Sequence, residues 1–119
     1  MARPRSLDLQ RFKAEFFKAL AHPIRILILE TLRHRELSVQ ELQAALGLDQ
    51  AVVSQQLAVL RGRQVVDARK EGTTVRYALR DALVGGLLDV ARRIFNNQLI
   101  GTQAMLRQLQ REARPSGRR

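Results

Sequence analysis

Apolar residues recur at intervals of three and four along most of the chain, which is the spacing of helices with one buried face. The first such set is Leu9, Phe12, Phe16 and Leu20. A second helix is predicted to begin at Pro23, because the N–H that proline lacks would be unpaired in the first turn of a helix anyway. The apolar residues of this second helix lie on more than one side, which predicts a central position in the core.

Two short helices are predicted next, with a turn of three residues between them. Ser38 can cap the first of them, and Glu41, three residues later, can return a hydrogen bond to the capping residue. This helix is predicted to end at Gly47, a residue suited to the left-handed conformation after a helix. Asp49 is a natural N-cap for the next helix, which is predicted to run to about Arg61. The spacing predicts a helix-turn-helix.

The hydrophobic period changes after the helix-turn-helix. Residues 65–68 predict a short strand, residues 70–73 a turn, and residues 75–79 a second strand with alternating apolar positions. Helical spacing then returns over residues 83–112. We therefore predict a mostly α fold with a small β-hairpin, in the order helix, helix, helix, helix, strand, strand, helix. A hairpin directly after a helix-turn-helix is the wing of a winged helix-turn-helix.

One winged helix-turn-helix domain is predicted over residues 7–112, between a basic arm at residues 1–6 and a basic tail at residues 113–119. The apolar stripe of its last helix is longer than a domain of this size can easily cover alone. Residues 7–20 of the same chain can cover part of this stripe, and a partner subunit can cover the rest. We expect both kinds of contact. The predicted homodimer interface comprises Leu9, Phe12, Phe16, Leu87, Ala91, Ile94, Phe95 and Leu99.

The charge balance indicates a polyanionic partner. The chain has 21 lysine and arginine residues against 11 acidic ones, a formal net charge of +10. A positive field of this kind attracts nucleic acid or an anionic membrane surface. Most of the cations are arginines, which suit hydrogen-bonded contacts to phosphates and bases. A soluble basic protein with no such ligand is the alternative.

Several classes of protein are disfavoured by what the sequence contains. It has no cysteine, which excludes disulfides and thiolate metal sites. No apolar run approaches the ~20 residues of a membrane helix, and no apolar stretch follows the basic N-terminus, so we expect a cytoplasmic protein without a membrane partner. We find no set of nucleophile, base and acid and no glycine loop for phosphates, and we predict neither an enzyme nor a cofactor.

The helix over residues 50–61 is predicted to read DNA bases. If Val53, Leu57 and Leu60 form its buried stripe, its opposite face is polar but uncharged. An amide can bond adenine through two atoms, a hydroxyl can donate or accept, and alanine allows close approach. The predicted base contacts in double-stranded DNA are Gln50, Ala51, Ser54 and Gln55. An ordinary polar surface is the alternative interpretation.

Cations beside this face are predicted to contact the DNA backbone. Some of them end the helix, and others lie on the wing over residues 65–79. Gln56 turns back towards the edge of the core, so its predicted role is to position the helix. The predicted backbone contacts are Gln56, Arg61, Arg63, Arg69, Lys70, Thr73, Thr74 and Arg76.

Four segments resemble the ArsR/SmtB-type winged-helix repressors: KALAHPIRILILETL (18–32), SVQELQAALGL, VSQQLAVL (53–60) and RKEGTTVRYAL (69–79). The resemblance implies a homodimeric repressor that binds an imperfect palindrome and leaves DNA when an inducer binds; the sequence does not identify the inducer. Relatives usually have glycine where this chain has Gln64, so Gln64 is expected to adopt a left-handed conformation at some cost, unless the turn differs. An architectural DNA-binding protein and an interaction module using the terminal helix are the alternatives.

The metal sites of the resembled family are not matched in this chain. Where the arsenic-type site has cysteines, the chain has Ser38 and Gln40. The positions of the zinc-type site are occupied by Asp81, Leu83, Ile94 and Asn97. One carboxylate is not a metal site, and Asp81 is expected to cap the last helix instead. We predict no family metal site. A site between subunits, formed by His22 or His34 with glutamates, stays open as an alternative.

Overall fold

A computed structural model describes residues 6–98 and 102–113. Its elements in chain order are α1 (Asp8–Leu20), α2 (Pro23–Leu32), β1 (Leu37–Ser38), α3 (Val39–Leu46), α4 (Gln50–Gly62), β2 (Val66–Glu71), β3 (Thr74–Leu79), α5 (Leu83–Gln98) and α6 (Gln103–Ala113). Residues up to Gly85 form one compact unit, and residues from Gly86 onwards form a second. The predicted mostly α fold with a small sheet is confirmed.

The core of the first unit is built around α2. Ile28 and Leu29 of this helix are fully buried, and α2 contacts both α3 and α4. The other large side chains with almost no exposed surface are Leu37, Leu42, Val53, Leu57, Leu60 and Val66. The predicted central position of α2 is therefore confirmed.

The apolar face predicted on α1 is covered within the single chain only near the C-terminal end of the helix, and its burial in a dimer stays a prediction. Leu20 is buried, but Leu9 is exposed and Phe12 keeps 74% of its surface. The spacing of apolar residues shows that a helix has an apolar face, but it does not show what covers that face. In the first unit, only the C-terminal end of α1 is packed into the core.

The start of α2 is capped by a residue that the sequence did not predict as a cap, and the start of α3 follows the predicted capping chemistry. His22 precedes α2, and its ring Nδ1 accepts a hydrogen bond from the backbone N–H of Ile24 at 3.1 Å. At α3, the Ser38 hydroxyl accepts from the Glu41 N–H at 3.2 Å, and the Ser38 N–H donates to the Glu41 carboxylate at 2.9 Å. This reciprocal pair is a capping box, which fixes the entry to the helix-turn-helix.

The turn of the helix-turn-helix is as predicted except at Asp49. Gly47 lies in the left-handed region with φ 67°, which ends α3. Asp49 occupies the N-cap position of α4, but its carboxylate makes no capping hydrogen bond there. Only its backbone carbonyl takes part, accepting from the N–H of Val53 at 3.1 Å. At α5, by contrast, the Asp81 carboxylate accepts from the Leu83 N–H at 2.9 Å, as expected.

The end of α4 is a Schellman motif without glycine. Gln64 has a φ of 62°, and its N–H donates to the carbonyl of Arg61 at 3.0 Å. The N–H of Val65 donates to the carbonyl of Leu60 at 2.9 Å, and both of these side chains are buried. These bonds satisfy two of the last free carbonyls of the helix. The expectation that Gln64 adopts a left-handed conformation is confirmed.

The sheet has three strands rather than the two of the predicted hairpin. Its antiparallel order is β1-β3-β2, with Leu37 opposite Tyr77 and Val66 opposite Leu79. The additional strand, β1, is only two residues long, so it shows no alternation in the sequence. It joins the wing directly to the first residue of the helix-turn-helix.

The single helix predicted over residues 83–112 is two helices. The first, α5, ends at Gln98, and α6 begins at Gln103. Gly101 lies in the sequence between them, and glycine is a poor helix former. Thr102 accepts a backbone hydrogen bond from Leu106 at 2.9 Å, at a position where threonine is a favoured cap. Residues 1–5, 99–101 and 114–119, which include most of the predicted arm and most of the predicted tail, lie outside the described residues.

Five charged side chains on the wing, on the loop before β1 and on the first turn of α3 form a set that we name the wing cluster: Glu36, Glu41, Arg69, Glu71 and Arg76. Arg76 is the least exposed, at 24%, and its guanidinium lies 3.1 Å from the Glu41 carboxylate and donates to the Glu36 carbonyl at 3.3 Å. Arg69 lies 2.5 Å from the Glu36 carboxylate. Arg76 therefore ties β3 to the first turn of α3, and Arg69 ties β2 to the loop before β1.

The hydrogen bonds and charges around the wing cluster lower the pKa of two of its carboxyl groups. The pKa of Glu41 is lowered first by the hydrogen bond from the Ser38 backbone, with Arg76 adding to the effect. The pKa of Glu36 is lowered mainly by its hydrogen bond with Arg69. Both carboxylates are thus stabilised in their ionised form in the folded protein.

Replacing Gln64 by glycine should stabilise the protein. The left-handed conformation costs a residue with a Cβ about 1–2 kcal/mol, and glycine avoids this cost. Glycine in turn lowers the free energy of unfolding by about 0.5–1 kcal/mol, because it loses more backbone entropy on folding. We expect Gln64→Gly to raise the free energy of unfolding by ~0.5–1 kcal/mol in urea titrations. Gln64→Ala, which keeps the Cβ, is the matched control and should show no such gain; equal stability of the two variants would contradict the strain.

Acid should remove the stabilisation contributed by Glu41. Because its folded pKa lies below 4.5, its contribution is present above that value and is lost as the pH falls through the folded pKa. Unfolding midpoints of the wild type and Glu41→Gln should differ at about pH 7, and the difference should shrink as the pH falls below 4.5. Glu112→Gln, on α6 and outside the wing cluster, is the control. A difference between wild type and Glu41→Gln that is independent of pH would exclude the ionic contribution.

Candidate nucleic-acid interface

The exposed side of α4 is polar and carries no charge over its first two turns. Val53, Leu57 and Leu60 are fully buried, as predicted, and fix the rotation of the helix against the core. The predicted base contacts, Gln50, Ala51, Ser54 and Gln55, are all exposed. The predicted rotation of the helix is therefore confirmed, while contact of these four residues with DNA stays a prediction.

Gln56 lies at the edge of this face, and a residue of α2 holds its side chain. Its side chain is half-buried, and its amide oxygen accepts a hydrogen bond from Nε of Arg25 in α2 at 2.9 Å. Arg25 also donates through Nη1 to the backbone carbonyl of Ala19, near the end of α1, at 2.9 Å. One side chain thus joins α1, α2 and α4. The sequence prediction included Gln56 but missed Arg25, which lies in the AHPIR segment.

Two arginines follow the polar face at the end of α4. Arg61 is exposed in the last turn, and Arg63 is the residue at the C-cap. The guanidinium of Arg63 donates to the Glu15 carboxylate of α1 at 2.8 Å, and this hydrogen bond is the main cause that lowers the pKa of Glu15. Arg63 is therefore partly neutralised in the free protein, although it remains at the surface.

The wing supplies the other predicted backbone contacts. Lys70 and Thr73 are exposed around the turn, where Gly72 has a φ of 63°, and Thr74 is half-buried. Arg69 and Arg76 belong to the wing cluster and face carboxylates of the same chain. The structure thus places the predicted wing residues together, but it divides them into exposed groups and groups with internal partners.

The residues predicted for a dimer interface lie on surfaces with uncovered apolar side chains. On α1, the rings of Phe16 and Phe17 meet edge to face with centroids 5.5 Å apart, beside a groove of about 500 Å³ that Phe12 also lines. On α5, Ile94 and Phe95 keep 50% and 49% of their surface, while Leu87 and Ala91 are half-buried. Leu99 lies outside the described residues. Phe17 is exposed as well and was not predicted in this set.

The described residues offer little for a metal or a membrane. Among residues 6–98 and 102–113, no group of three or more histidine, cysteine, aspartate or glutamate side chains could hold a metal ion. His22 caps α2 through its ring, and His34 is exposed. No helix in the described part of the chain is long and apolar enough to cross a membrane.

Comparisons with known proteins agree with this geometry. Residues 22–68 match the family described as "Bacterial regulatory protein, arsR family". An uncharacterized HTH-type transcriptional regulator of Mycobacterium tuberculosis, Rv0081, is 45% identical over 105 residues, which are 87% of this chain and 92% of the relative. A biofilm growth-associated repressor of Agrobacterium fabrum is 40% identical over 82 residues, 69% of this chain and 70% of the relative.

Solved structures give the same result. The crystal structure of M. tuberculosis Rv0081 matches with a TM-score of 0.72 at 45% identity, covering 81% of this chain and 97% of that chain. HlyU from Vibrio cholerae matches with a TM-score of 0.68 at 36% identity, covering 76% and 98%. The matching proteins are winged-helix regulators and not enzymes. With its capped helix-turn-helix, three-stranded sheet and uncharged exposed face on α4, the chain belongs to the ArsR/SmtB family of DNA-binding transcriptional regulators.

Proposed function

We propose that the protein is a homodimeric repressor that binds an imperfect palindromic operator. In this proposal α4 enters the major groove and the wing, β2 and β3, lies along the DNA backbone. The observation that carries it is the exposed uncharged face of α4, with Ser54 and Gln55 at its centre, on a helix fixed by three fully buried residues.

The uncharged face supports base reading over general attraction to DNA. A cation at this position would bind any phosphate, whereas an amide or hydroxyl forms hydrogen bonds that depend on the base edge it meets. Around the face, Arg61 and Lys70 are exposed, so both side chains can reach the phosphates of a bound duplex. We propose that Gln50, Ala51, Ser54 and Gln55 read bases, and that the wing and the end of α4 hold the backbone.

Dimerisation is proposed from the apolar surface that the single chain leaves uncovered. Phe12 on α1 is more exposed than large apolar residues of a stable monomer usually are, and α5 has a second exposed apolar set. A twofold axis through such surfaces gives two copies of α4, which matches two half-sites of a palindrome.

Repression is proposed on the names of relatives, among which are biofilm growth-associated repressors. Another relative, 41% identical over 78 residues, is named transcriptional activator HlyU, so the direction of regulation is open to test. We propose that neither of the two metal sites of the resembled family is present, because the matching positions have only one ligand, Asp81. The inducer stays unidentified.

A general architectural DNA-binding protein is the second candidate, and the net charge of +10 is the observation that favours it. Charge alone gives affinity without a preference for one sequence. Selection of bound duplexes from a random pool, followed by affinity measurements on selected and scrambled DNA at several salt concentrations, distinguishes the two. A repressor should enrich a palindrome; an architectural protein should enrich none.

Removing the Gln55 amide should weaken specific binding. We expect Gln55→Ala to reduce affinity for the selected operator by ~1–3 kcal/mol and to leave affinity for scrambled DNA nearly unchanged, because only base contacts are lost. Fluorescence anisotropy with both duplexes at one salt concentration measures this. Gln10→Ala, an exposed glutamine on α1, is the matched control. An unchanged operator preference in Gln55→Ala would contradict its role in reading bases.

A charge at Phe12 should separate the dimer. The ring is 74% exposed in the single chain, so Phe12→Glu should disturb the monomer little but place a carboxylate in the proposed apolar interface. Sedimentation equilibrium should show a dimer for the wild type and a monomer for Phe12→Glu at the same concentration. Ala14→Glu adds the same charge at an exposed position nearby and should remain a dimer. If Phe12→Glu were still a dimer, the proposal that α1 forms part of the dimer interface would be wrong.

A further inference from the structure

Arg25 makes three hydrogen bonds that join the end of α1 to the helix proposed to read DNA. Its Nε donates to the Gln56 amide oxygen at 2.9 Å, and its Nη1 donates to the carbonyls of Ala19 at 2.9 Å and Lys18 at 3.4 Å. The carbonyls of the last turn of a helix have no partner within the helix. The Arg25 guanidinium satisfies the Ala19 carbonyl and interacts favourably with the helix dipole. The Lys18 carbonyl also accepts from the Ala21 N–H at 3.1 Å, so Arg25 is its second donor.

The chemistry of arginine determines which way the Gln56 amide points. A guanidinium has five N–H donors and no acceptor, so only the oxygen of an amide can face it. The Gln56 NH2 group, with two donors, must therefore point away from Arg25. Since Gln56 is half-buried between the core and the exposed Gln55, this orientation is set by contacts inside the protein before any DNA is bound.

We propose that Arg25 is a positioning residue that presents the Gln56 NH2 group to a phosphate of the DNA backbone. This inference rests on the proposed function of α4 in operator binding. An amide whose orientation is already fixed loses little conformational entropy when it donates to phosphate, whereas a free glutamine loses more. Arg25 therefore affects DNA affinity through Gln56, without touching the DNA. Because Arg25 also bonds the end of α1, the orientation of Gln56 depends on the position of α1.

The distinctive consequence is that the two side chains act as a unit. Without Arg25, Gln56 loses its orientation, and without Gln56, Arg25 has nothing to orient. Arg25→Ala and Gln56→Ala should each reduce operator affinity about tenfold, and the double variant should again lose about tenfold rather than a hundredfold. Arg25→Lys, which keeps the charge but not the planar set of donors, should not restore affinity.

A second cycle provides the matched control. Gln50 is a glutamine on the first turn of the same helix, on the opposite flank of its buried stripe. The effects of Arg25→Ala and Gln50→Ala should multiply, because the two residues share no hydrogen bond in the proposed unit. Thermal unfolding of each variant establishes that it is folded at the temperature of the binding assay.

The side-chain amide of Gln56 provides a test without DNA. In the 15N spectrum of the wild-type protein its NH2 resonances should show restricted motion, and in Arg25→Ala they should resemble those of the exposed Gln55. Multiplicative effects of Arg25→Ala and Gln56→Ala on operator affinity, or an equally ordered amide in both proteins, would overturn this inference alone. If the wild-type protein shows no preference for any DNA sequence, the proposed function fails and the inference fails with it.

Discussion

The burial of one side of α4 is the constraint on which the rest of the structure depends. Val53, Leu57 and Leu60 are packed into the core with almost no exposed surface. Because these residues repeat at helical spacing, their burial fixes the rotation of α4 about its own axis. This rotation determines which residues of α4 are exposed to solvent. Without this stripe, Ser54 and Gln55 would have no defined direction at the surface, and the base reading proposed for them would not be possible.

Both ends of α4 are held by contacts that reinforce this rotation. At its start, the left-handed Gly47 sets the angle from α3, whose own start is fixed by the capping box. At its end, the hydrogen bonds of Gln64 and Val65 close the helix and begin the wing. The cost of a left-handed Gln64 is small compared with the burial of Leu60 and Val65 on either side, so the turn keeps its shape although the residue is unfavourable.

The sequence predicted the features that arise from local chemistry. The capping residues Ser38 and Glu41, the left-handed Gly47 and the buried stripe of α4 all depend on residues within a few positions of one another. Strand β1 was missed because two residues show no period. The helical period predicted the apolar face of α1, but it does not show whether the same chain or a partner subunit covers that face.

The contacts missed in the candidate site are those that join residues far apart in the chain. Arg25 meets Gln56 from another helix, and Arg76 meets Glu41 from the wing. A single sequence gives the types of these side chains but not their pairing. The composition of the chain gives only the number of its arginines. The fold shows which of the arginines have a carboxylate beside them.

The wing cluster has a consequence for how the protein searches DNA. Affinity for random DNA grows with the number of counterions that bound cations displace from phosphates. Arg69 and Arg76 lie beside glutamates of their own chain and Arg63 lies beside Glu15, so the charge of each is partly neutralised before DNA binds. If the wing and the end of α4 contact DNA as proposed, these arginines displace fewer ions than their number suggests, and the protein is held less tightly at the many irrelevant sites of a genome. The acidic residues beside these arginines would therefore lower the affinity of the protein for random DNA.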